Sequence, residues 1–116
     1  MLFVTDAFSL QSGINILNSD PDHYLKMEII TNDCAVDLAK RFYKVSAISQ
    51  NAAISSYALI FKKLLGIEIK TDKTLSEINV TDVILLCKWK NVILPQDIDD
   101  IIADHVIWSE IRFLSR

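Results

Sequence analysis

The chain has 116 residues, of which 51% are apolar and 23% charged, with only two Gly and two Pro. That is enough apolar material for one continuous core, and too little Gly and Pro for tight hairpins, long linkers or low-complexity tails. Its 12 Lys and Arg against 15 Asp and Glu leave a formal charge of −3, which removes the excess positive field that commonly supports nucleic-acid binding.

The first residues, LFVTDAF, read as a short strand or an apolar arm. They lack a basic leader and reach Asp6 before any apolar run of signal-peptide length, so a cytoplasmic protein is expected. SLQSGINILNS reads as a short helix interrupted or ended near Gly13, and Ser19-Asp20-Pro21 resembles a new helix start. The next stretch is ambiguous. Tyr24, Met27 and Ile30 share a helical face, whereas Leu25, Met27 and Ile29 alternate with Lys26 and Glu28 as they would in a strand.

Thr31, Asn32 and Asp33 supply a cap, after which Val36, Ala39, Tyr43 and Ala47 recur at helical spacing. A central helix is predicted from about Asp33 to Leu65, either unbroken or jointed around Ser46 to Asn51, where polar side chains divert backbone hydrogen bonds, and closed by Gly66. Within it, Val45 to Phe61 is the longest apolar zone, but Gln50, Asn51 and four serines argue against a membrane span. Beyond the IEIKTD connector, Thr74 with Glu77 matches a capping box and Asn79 or Thr81 offers a second start, predicting helices over 74–90.

Pro95 followed by carboxylates suits a helix N-terminus, predicting a last helix over 95–110 with Ile98, Ile101, Ile102 and Val106 inward. The end of the chain, HVIWSEIRFL, has the β-branched and aromatic content of a strand instead. The expected fold is a single domain over 1–116, mainly α, a compact bundle of about five helices. The alternative is α+β, with short strands at the termini or near residues 67–72.

The chemistry-bearing residues are scattered. His23, His105, Cys34 and Cys87 lack the local spacing of a metal site, so no metal, cofactor or disulfide is expected. Asp104 and His105 are adjacent, and neighbours on a helix point about 100° apart. No serine occupies a Gly-flanked elbow. The contiguous Asp99 and Asp100 suit a helix N-terminus better than acid–base work. A non-enzymatic role follows.

Charge is segregated along the chain. Residues 38–67 carry Lys40, Arg41, Lys44, Lys62 and Lys63 without an acidic residue, and 91–111 carry Asp97, Asp99, Asp100, Asp104 and Glu110 without a basic one. The lysines read as solvated helix flanks. The carboxylates read as a surface for a basic partner, with Trp89 and Trp108 as aromatic anchors. The expected function is an immunity protein or antitoxin that neutralises a basic toxin such as a nuclease, contacting it through Asp97, Asp99, Asp100, Asp104, Trp108 and Glu110. Direct nucleic-acid or membrane binding is not expected. A helical adaptor or homodimer, and a small hydrolase working through Asp97 to His105, are the alternatives.

Overall fold

A computed structural model describes residues 1–6, 8–48, 54–71, 77–90 and 100–116. Its strands are β1 (Leu2–Thr5), β2 (His23–Ile30), β3 (Val45–Ile48), β4 (Val83–Trp89) and β5 (Val106–Ser115). Its helices are α1 (Leu10–Ser19), α2 (Asn32–Lys40) and α3 (Ile54–Leu65). The strands form one sheet in the order β2-β5-β4-β1-β3. Strand β1 runs parallel to both neighbours, and β4, β5 and β2 alternate in direction.

This α+β arrangement overturns the expected mainly α bundle of about five helices. The reason lies in burial. Strand β1 and the first five residues of β4 are covered on both faces, so their sequences are continuous apolar runs without the alternation that identifies a half-exposed strand. The helix predicted from about Asp33 to Leu65, unbroken or jointed, is replaced by α2, β3 and α3, because Val45–Ile48 enters the sheet. Of the helices predicted over 74–90, the second half is β4, and the end of the one predicted over 95–110 is β5. Thr74 and Pro95, with residues 49–53, 72–76 and 91–99, lie outside the described residues.

Local backbone chemistry places the helix ends. Ser9 caps α1 by accepting the Ser12 N–H at 3.2 Å, and Thr31 caps α2 by accepting the Cys34 N–H at 3.1 Å. Gly66 closes α3 at φ 67°. Gly13 does not interrupt α1. A Cβ at that position would stand 2.9 Å from Leu25 Cδ1, so the bare glycine lets α1 lie close to the sheet. The Ser19-Asp20-Pro21 signal ends a helix rather than starting one. Proline disfavours helical backbone in the residue before it, Asp20 adopts φ −140°, and its carbonyl accepts the His23 N–H that opens β2.

Alternation along the strands sorts the core into two layers. Leu2, Val4, Val45, Ala47, Leu85, Cys87 and Trp108 meet Leu38 of α2 and Phe61 and Leu65 of α3 on one face. Phe3, Ile48, Ile84, Leu86, Ile111 and Phe113 meet Ile16 and Leu17 of α1 on the other. Each fully buried aliphatic or aromatic side chain contributes roughly 1.5–3 kcal/mol. Among the described residues no helix is long and apolar enough to cross a membrane.

Candidate protein-binding surface

The sheet's two outer strands differ in what covers them. Strand β3 is buried along its length, and Lys70 bridges its free side: the Ala47 N–H donates to the Lys70 carbonyl at 2.7 Å, and the Lys70 N–H to the Val45 carbonyl at 3.0 Å. Strand β2 is twice as long and, among the described residues, pairs on one side only, with β5. Several of its large apolar side chains are open to solvent: Tyr24 is 43% exposed, Met27 50% and Ile29 76%.

Each face of β2 has its own chemistry. The face that continues the α2–α3 layer carries Tyr24, Lys26, Glu28 and Ile30, opposite Leu114, Arg112, Glu110 and Trp108 of β5. Lys26 therefore lies opposite Arg112, and Glu28 opposite Glu110. Like charges directly across an antiparallel pair are unfavourable. Each finds its ion pair along its own strand instead, Lys26 with Glu28 at 3.2 Å and Arg112 with Glu110. On the reverse face Leu25 packs toward α1 while Met27, Ile29 and the neighbouring Ile107 stay exposed, so the apolar surface continues to the sheet's edge.

The described residues among those proposed from sequence do not form one surface. Asp97 and Asp99 lie outside the described residues. Asp100 and Asp104 are exposed, Asp104 within the single turn Ala103–His105 before β5. Glu110 is half-buried in the middle of β5 and bound to Arg112. Trp108 is 1% exposed and belongs to the core. Its indole N–H donates to Asn32 Oδ1 at 3.1 Å, and its ring lies 6.2 Å from that of Phe61. The patch on β2 was missed as a site, although the alternation of Leu25, Met27 and Ile29 against Lys26 and Glu28 carried its signal.

Catalytic groups do not converge on a described cavity. His105 Nδ1 accepts the Ile102 N–H at 3.0 Å, which occupies the lone pair that a general base would use. A groove of about 850 Å³ lies between α1 and residues 77–79, lined by serines, amides, Asp20, Glu77, Ile16 and Ile78, with no histidine, lysine, arginine or cysteine among the described residues. Cys34 is exposed and Cys87 buried, both as free thiols. Burial, assisted by the carboxylate of Asp6, pushes the Cys87 thiol far above its ordinary range, so at neutral pH it is an inert core group.

The architecture defines an α+β protein with a five-stranded mixed sheet covered by helices on both faces, and with one outer strand left open among the described residues. It is similar to a solved structure described as B116 of Sulfolobus turreted icosahedral virus (STIV), with a TM-score of 0.62 and 13% identity over 96% of this chain and 97% of that one. At that identity the likeness is one of fold. No protein-family model and no curated protein matches the sequence.

Proposed function

We propose that this chain is a non-enzymatic protein-binding module whose contact element is the outer edge of β2. One observation carries the reading: an eight-residue outer strand whose apolar side chains Met27 and Ile29 are at least half exposed. An open edge presents a row of backbone donors and acceptors to an incoming strand, and an apolar margin stabilises the pairing once it forms. Neutralising a basic toxin is the narrower form of the proposal, in which Asp100 and Asp104 would steer the encounter. An exposed free thiol at Cys34 suits a reducing compartment, which supports a proposed location in the cytoplasm. The test is a comparison of wild type with Met27→Lys/Ile29→Lys in host extract. A protein retained by the wild type and lost by the variant supports the proposal, whereas equal retention moves the contact elsewhere.

A second reading is favoured by Tyr43, which is 98% exposed among the exposed basic side chains of Lys40, Arg41 and Lys44. An aromatic ring between cations can stack on a base while its neighbours neutralise phosphates. The net charge of −3 opposes it. Fluorescence anisotropy with short single-stranded and duplex oligonucleotides across a salt series decides the matter. Salt-sensitive binding weakened by Tyr43→Ala supports this reading, and no binding at low salt removes it.

A further inference from the structure

We infer that the groove between α1 and residues 77–79 is a binding site for a neutral, polyhydroxylated small molecule, a disaccharide by chemical class. The site is separate from the contact edge, since no residue of β2 lines it. Charge sets α1 apart from the rest of the chain. Charged residues make up 23% of the sequence, yet none occurs in α1, whereas α2 has Asp33, Asp37 and Lys40 and α3 has Lys62 and Lys63. A helix at the surface ordinarily keeps its open face in water with charged groups. On α1, exposed or half-buried amides and hydroxyls stand there instead, and those of Gln11, Ser12, Asn15 and Ser19 line the groove.

These groups suit a ligand made of alcohols. A hydroxyl both donates and accepts, and a serine or a carboxamide offers it both partners without the cost of stripping water from a charge. Two carboxamides are already oriented. Asn15 Oδ1 accepts Gln11 Nε2–H at 2.9 Å, and Asn79 Oδ1 accepts the Thr81 N–H at 3.0 Å, so each keeps its amide nitrogen as an unspent donor. Asp20 and Glu77 add carboxylate oxygens, which accept from alcohols and repel phosphates and other anions, and no cation on the described walls offsets that repulsion. Ile16 and Ile78 are anchored in the core layer beneath α1 and give the groove an apolar surface for the C–H face of a sugar ring. Its volume of about 850 Å³ falls within the range of small-molecule sites and is large enough for a disaccharide.

Amide NMR of the isotope-labelled full chain tests this, with parallel titrations of maltose, cellobiose and lactose, and with spermidine and inorganic phosphate as cationic and anionic comparisons. At least one disaccharide should shift the amides of residues 9–20 and 77–79 saturably, with a dissociation constant in the millimolar range or tighter, and leave Met27 to Ile30 unmoved. Asn15→Leu and Asp20→Ala change side chains outside the core, and each should weaken that binding about tenfold or more. Asn18→Leu, on the same helix but off the groove, should not. Thermal unfolding identifies any variant that loses its fold, and the wild-type shifts map the site without a substitution. No shift with any of the three sugars overturns the proposal, as do shifts that fall outside the groove. A response to spermidine or phosphate alone overturns the neutral class, and equal weakening by Asn15→Leu and Asn18→Leu overturns the assignment of the groove.

Discussion

Strands β3 and β2 stand at opposite ends of the same sheet, and among the described residues only β3 is closed. Lys70 lends β3 a short bridge, helices cover its apolar side chains, and all four of its residues are buried. The eight residues of β2 receive β5 on one side and, near Leu25, part of α1 on a face. A sheet edge is a hazard that proteins normally shorten, twist, charge or cover. Here the shorter edge is covered and the longer one is charged in a pattern that its own partner strand does not neutralise, which is the physical ground for treating β2 as a surface in use.

The comparison is broken most directly by making one change at both edges. Ile48 on β3 is 3% exposed and Ile29 on β2 is 76% exposed. Ile48→Ala should cost about 2–5 kcal/mol in denaturant unfolding, whereas Ile29→Ala should change the stability of the single chain by no more than about 0.5 kcal/mol. Equal costs would mean that β2 is covered in solution. Next in size is the bridge itself. Lys70→Pro removes the N–H that reaches the Val45 carbonyl, and should cost about 1–3 kcal/mol while speeding amide exchange in β3 and leaving β2 unaffected.

The interior between the edges supplies a smaller effect that depends on pH. The Cys87 thiol is held protonated in the folded state and ionises near its ordinary value of 9.0 once unfolded. The unfolded chain therefore loses this proton first, so stability is intact below that pH and falls as pH rises above it. The slope approaches about 1.4 kcal/mol per pH unit. Thermal unfolding followed from pH 8 to 10 should show a decline that Cys87→Ala reduces. The smallest effect is kinetic: a thiol reagent at neutral pH should label Cys34 promptly and Cys87 only on the timescale of unfolding.

The sequence exposed what depends on neighbours along the chain and hid what depends on neighbours across the sheet. Thr31 capping α2 and Gly66 closing α3 are set by backbone chemistry within a few residues, and both were legible. The apolar runs of β1 and β4 were not, because burial on both faces erases the alternation that distinguishes strand from helix. Charge misled for the same reason. Glu110 was grouped with Asp100 and Asp104 by position in the chain, yet its place in the sheet is beside Arg112 and across from Glu28. That β2 is an outer strand could not be read at all, since an edge is a property of strand order and not of the strand.

Strand β5 comes last in chain order and yet lies between β2 and β4. Its register joins His23 to Ser115, and the Trp108–Asn32 hydrogen bond spans 76 residues. During synthesis on the ribosome β2 emerges with both of its sides unpaired, and it waits for α2, β3, α3 and β4 to be made before its partner arrives. Loop closure over such a distance slows folding and leaves an adhesive strand exposed meanwhile. The same Lys26 and Glu28 that shape the finished edge are then the charges that keep the unfinished one from pairing indiscriminately.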